Sequence, residues 1–173
     1  GPEPGGSRPL ARAPPPLRPR TGRPPASLDV MEQTRDELSA EELGLLEAQR
    51  TWVRDHYEPE ARVRFETVEG KLQLLDGILR RGWVEPTETL KLQALGVAFG
   101  DALAQRLGLR WIAVTDDYGR DPALVLDGTS ILLFPRTTIS KRIERGEQVD
   151  VPALFSSACA TVARVAADAA TRA

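Results

Sequence analysis

Apolar residues between Leu43 and Ala169 recur at helical spacing, except for one central stretch whose character is that of strands. The first helix is announced by Leu38-Ser39-Ala40-Glu41-Glu42-Leu43. Ser39 is placed to accept the N–H of Glu42, the Glu42 carboxylate to accept the N–H of Ser39, and Leu38 to staple onto Leu43. A stripe of Leu45, Leu46, Trp52, Val53 and Tyr57 carries this helix toward Pro59, which stops it. Val68, Leu72, Leu75, Ile78 and Leu79 predict a second helix, closed by Arg80, Arg81 and Gly82, residues that suit a helix C-terminus. A third runs from Pro86 to Leu107 and is apolar on two sides. Leu92, Leu95, Phe99 and Leu103 form one stripe, and Leu90, Ala94, Val97 and Ala104 form the other, so this helix is expected between two layers.

Gly108 ends that helix, and the pattern changes. Trp111–Val114, Ala123–Leu126 and Ser130–Phe134 read as strands, the last two joined by a two-residue turn at Asp127-Gly128. Pro135 stops the third strand, and a short helix with Ile139 and Ile143 ends at Gly146. The final helix starts at Asp150 with Pro152 in its first turn. Its face of Val151, Leu154, Phe155, Ala158, Val162, Val165 and Ala169 is expected to cover the sheet. The expected fold is therefore α+β: a helical layer packed on a small three-stranded antiparallel meander sheet, in the order α-α-α-β-β-β-α-α.

Residues 1–37 stand apart from this pattern. Nine of the fourteen prolines lie in residues 1–30, together with five arginines, and such a segment buries too little apolar surface to offset the entropy of ordering it. It is expected to be a disordered tail, read either as a basic polyproline-type arm or as sequence foreign to the native protein, with residues 38–173 forming one α+β domain. A net charge of −2 sets up no field that favours nucleic acid or an anionic membrane. No apolar run approaches the roughly 20 residues that span a bilayer. The N-terminal segment lacks the apolar core of a signal peptide, and a single cysteine, Cys159, excludes an internal disulfide. The expected setting is a reducing, cytoplasmic one.

Three groups of polar residues are candidates for chemistry. Asp116, Asp117, Tyr118, Arg120 and Asp121 fall on the connection between the first two strands, where a rigid scaffold presents loops for contact. Against this, Asp117 and Asp121 are turn residues that bond local N–H groups, Gly119 supplies a positive φ, and Arg120 is in reach of either acid. Thr137, Thr138, Ser140, Lys141 and Arg142 follow the third strand at a helix start, a place for an anion or for simple capping. Asp101 shares an apolar stripe of the third helix, and as a buried carboxylate it requires a partner, with Arg120, Lys141, Arg142 or a backbone N–H as options. His56 and Cys159 are the chain's single imidazole and thiol, but Cys159 lies on a core-facing helix side, where a free cysteine behaves as a small hydrophobe. Neither metal-ligand spacing nor a phosphate-cradling glycine loop is present, so no metal and no cofactor are expected.

The stretch from Leu95 through Gly146 resembles a small bacterial family known only as a domain of unknown function, number 3806, with the family-like core at about residues 90–165. Phe99-Gly100-Asp101, Leu107-Gly108-Leu109 with Trp111, Asp117-Tyr118-Gly119-Arg120-Asp121, and Phe134-Pro135 followed by Ile139-Ser140-Lys141-Arg142-Ile143 carry the resemblance. It implies a bacterial, stand-alone cytoplasmic protein and no particular activity. The expected function is a non-catalytic module that binds another protein, of immunity or regulatory type, through Asp116–Asp121, Lys141 and Arg142. The competing class is a small hydrolase or nucleotide-binding enzyme that gathers Asp101, Asp117, Tyr118, Arg120 and Lys141 into one cleft; a third reading is a purely structural domain.

Overall fold

The computed structural model describes residues 33–172, so most of the expected tail lies outside the described residues. These form β1 (Thr34–Asp36), α1 (Ala40–Arg54), a 3₁₀ segment (Pro59–Glu66), α2 (Val68–Arg80), α3 (Thr89–Leu107), β2 (Arg110–Asp116), β3 (Gly119–Val125), β4 (Leu132–Leu133), a 3₁₀ turn (Pro135–Thr137), α4 (Thr138–Glu144) and α5 (Val151–Thr171). The fold is α+β, and its sheet is antiparallel with strand order β1-β2-β3-β4.

The sheet thus has four strands where three were expected. The extra strand, Thr34–Asp36, lies within the stretch assigned to the tail and pairs with Ala113–Thr115. All three of its side chains are polar and exposed, so it has no alternation to read and is defined by backbone pairing alone. At the other edge β4 is only two residues long. Gly128 has φ 78°, but Asp127 does not share the positive φ that a two-residue type I′ turn needs at both central positions. The loop is accordingly longer: Thr129 N–H donates to Leu126 O, Leu126 N–H to Ile131 O, and pairing begins at Val125 with Leu132. Strand β3 extends back through Pro122, which is tolerated because β4 pairs only with Leu124 and Val125 and leaves that side of Pro122 without a neighbouring strand.

The predicted capping box at Ser39 and Glu42 forms, and Gly82, Gly108 and Gly146 end their helices at positive φ. Helix α3 is the core helix, with nearly every residue from Leu92 to Leu103 buried. It begins at Thr89 rather than Pro86, and Leu90 is exposed, so the second apolar stripe holds only from Ala94 onward. Leu45 is likewise exposed, leaving Leu46 and Val53 as the buried residues of α1. Helix α5 does not cover the sheet. It packs on α2 and α3, with the Phe155 ring edge-on to Phe99 at 6.0 Å. Trp111, Leu124 and Leu133 face this main core, while Ile112, Val114, Ala123 and Val125 form a separate apolar cluster with Leu132 and Phe134.

Two glycines of α3 fix how close the layers come. A Cβ at Gly96 would lie 2.5 Å from Pro135 O, and one at Gly100 would lie 2.7 Å from the Trp111 ring and 2.8 Å from the Pro135 ring. Gly100, Trp111 and Pro135, drawn from three of the motifs that carry the family resemblance, therefore meet in a packing joint.

Candidate functional site

The tip of the β2–β3 hairpin is Asp117-Tyr118, with Asp116 opposite Gly119. Asp116 Oδ1 accepts the Tyr118 N–H at 2.9 Å, so Asp116, rather than Asp117, makes the turn bond. Gly119 takes the positive φ, 121°. Tyr118 is half exposed at the tip. Arg120 turns away from the loop acids. Its guanidinium donates to both Glu42 oxygens at 2.8 to 3.1 Å, to Asp36 Oδ2 at 3.2 Å and to Glu37 O at 3.2 Å, tying the hairpin to the start of α1. In return Glu42 is held far below the usual carboxylate range, at about 2, chiefly by the Arg120 hydrogen bonds and then by the Ser39 N–H.

At α4 neither threonine caps the helix. The Thr137 and Thr138 hydroxyls donate backward to Phe134 O at 3.4 and 3.3 Å, because the preceding 3₁₀ turn offers that carbonyl within reach. Ser140 is buried, and Arg142 donates to Thr138 O of its own helix. Lys141 is partly exposed on the same helix.

Asp101 finds a partner that the sequence did not single out. Arg50 of α1 grips it bidentately, Nε to Oδ2 at 2.6 Å and NH2 to Oδ1 at 3.0 Å, and Trp111 Nε1 donates to Oδ1 at 2.9 Å. Arg50 also donates to Glu47 at 2.7 Å, and its guanidinium is held more firmly protonated, first by the Asp101 hydrogen bond. Glu47, Arg50 and Asp101 form one wall of a cleft of about 710 Å³ between α1, the 3₁₀ segment and α3. Of the residues expected to assemble an enzyme site, only Asp101 lines it; Asp117, Tyr118, Arg120 and Lys141 do not.

Lys71, only 6 % exposed, sits deeper in the same cleft. Its Nζ donates to Phe65 O and to Gln105 Oε1, both at 2.6 Å, and Gln105 Nε2 donates to Glu66 O at 2.8 Å. The carbonyls that end the 3₁₀ segment are thereby satisfied by two side chains, which pin the segment over α2 and α3. Burial pushes the Lys71 amine below its ordinary range, with the Asp101 charge opposing. In the sequence Lys71 was hidden as a charged residue between apolar neighbours of α2; a lysine beside two buried-stripe positions, Val68 and Leu75, was the available signal.

A second, smaller crevice of about 190 Å³ opens between the end of α1, α2 and Trp83. His56 Nδ1 lies 2.9 Å from Trp52 O, and since a carbonyl only accepts, Nδ1 carries the proton. The His56 ring stacks against Trp83 at 6.0 Å, and the Arg81 guanidinium lies 4.9 Å from the Trp83 ring centre. Cys159 is half-buried on α5, and burial raises its thiol, the reverse of what activates a nucleophile. No group of three or more potential metal ligands occurs among the described residues.

Fold and site together define a small α+β domain whose central charges are locked into its framework. Residues 71–155 match the family described as Domain of unknown function (DUF3806), which bears out the resemblance read from the sequence. No curated protein matches the chain. Among solved structures, a crystal structure from Bacteroides thetaiotaomicron VPI-5482 at 1.50 Å resolution is similar in fold, with a TM-score of 0.61 and 16 % identity. The similarity covers 73 % of this chain and 47 % of that one, so the chain spans about half the length of the structure it matches.

Proposed function

We propose that this domain is a non-catalytic protein-interaction module, of immunity or regulatory type, working in the cytoplasm of a bacterium. The observation that carries the reading is the state of its two inward charges. Asp101 accepts three hydrogen bonds from Arg50 and Trp111, and Lys71 donates to two short acceptors, so both charges already serve to join α1, the 3₁₀ segment and α3, the role of framework charges rather than of a poised acid, base or nucleophile. The surface, in contrast, presents Tyr118 at a hairpin tip beside Asp117, and exposed tyrosine is a residue type favoured at the energetic centres of interfaces. A photo-crosslinking amino acid in place of Tyr118, introduced in cells of the source organism, tests this. The expected result is one discrete covalent adduct with a partner protein that disappears when Asp117→Lys is added. Absence of any adduct, or an adduct indifferent to the charge reversal, would count against the reading.

A further inference from the structure

We propose that the crevice beside Trp83 receives an acidic side chain from a segment of the partner protein. The inference rests on the interaction-module reading and adds the chemistry of what is bound. The crevice is lined by His56, Arg64, Gln73, Gly77, Arg81 and Trp83 among others, and by no carboxylate. Among the described residues neither the Arg64 nor the Arg81 guanidinium, both on the exposed rim, has an ion-pair partner, whereas Arg50, Arg62, Arg106 and Arg120 each do. Two full positive charges exceed the roughly half negative charge that the end of α2 contributes, so an anion is favoured there. The volume, about 190 Å³, suits one side chain, since a cavity of about 150 Å³ holds a benzene. Trp83, 48 % exposed, offers the ring edge against which an aliphatic stem packs, and tryptophan with arginine is the composition of interface anchors.

Gly77 is the independent observation. It lies in the interior of α2, where glycine is about 1 kcal/mol less favourable than alanine. The other α2 glycine has a structural reason, because a Cβ at Gly70 would run into Arg64 O at 1.7 Å. At Gly77 a Cβ would meet nothing within 4 Å. As at Gly44 of α1, no packing accounts for the missing side chain, but Gly77 alone of the two lines the crevice, where any larger residue would occupy the space of a ligand.

The test uses capped five-residue peptides, one of four glutamates around a central leucine and the other with glutamine in place of glutamate, titrated against the protein while its tryptophan indole N–H resonances are followed. The Trp83 resonance, assigned with Trp83→Phe, should shift saturably with the glutamate peptide only, while that of Trp111 stays in place. Arg64→Gln with Arg81→Gln should weaken the interaction by about tenfold or more, as expected for loss of charge-assisted hydrogen bonds. Gly77→Leu should abolish the shift, and Gly77→Ala should raise Tm. No saturable shift, an equal shift with both peptides, or unchanged affinity in the arginine and Gly77→Leu variants would overturn the proposal. If those results came while Tyr118 still captured a partner, the crevice assignment alone would fall; a peptide response without any captured partner would leave the crevice an anion site and remove the module reading.

Discussion

A carboxylate as enclosed as Asp101, with its side chain 12 % exposed, is tolerable only with its oxygens occupied, and Arg50 and Trp111 occupy them. Asp101→Asn keeps the shape but strips Arg50 of its counter-charge, so unfolding stability should fall by about 1–3 kcal/mol, read as a lower denaturant midpoint at unchanged slope. Glu42 makes a pH prediction. Its folded-state pKa, about 2, lies below the ordinary 4.5, so the carboxylate stabilises the fold fully above the usual carboxylate range and loses that contribution as pH falls from about 4.5 toward 2. Glu42→Gln should lower Tm by a constant amount near neutrality, and the gap to wild type should close across that window. A gap that stays constant through acid would show that Arg120 does not hold Glu42 as described.

At the scale of elements, β1 and the α3 glycines carry the contrast between what was legible and what was not. Deleting residues 1–37, the boundary suggested by composition, removes β1, bares the β2 edge and takes Asp36 and Glu37 from Arg120. That shortened chain should melt below one starting at residue 33 and should aggregate more readily through its exposed edge. Gly96→Ala should destabilise by about 1–3 kcal/mol despite alanine's better helix propensity, because the new methyl meets Pro135 O at 2.5 Å. The helices were readable because periodicity, caps and closing glycines are local, as Ser39 with Glu42, Gly108 and Asp150 show. The three polar residues of β1 gave no such signal. Nor did the partners of Asp101: Arg50 lies 51 residues away and reads on its own as an ordinary helix-surface charge, so the sequence could require a partner without naming it. Arg120 was assigned to the adjacent loop acids, yet its ligands come from α1 and β1, which only tertiary pairing brings near.

For the whole molecule, the proposed reading is recognition, resting on the engaged interior charges and on Tyr118 and the Trp83 crevice at the surface. Helix α5 changes one expectation, since by length and composition it is apolar enough to cross a membrane and most of it is exposed; its buried residues, Val151, Phe155 and Val162, nonetheless belong to the face that packs on α2 and α3. The most direct measurement is a calorimetric titration of the partner captured through Tyr118 into wild type, Asp101→Asn and Tyr118→Ala, at a temperature where all three are folded. The account predicts that heat ends at saturation, that Asp101→Asn binds within about twofold of wild type, and that Tyr118→Ala binds at least about tenfold more weakly, the loss expected for an interface anchor. Sustained heat after saturation, or binding lost with Asp101 and kept without Tyr118, would contradict it.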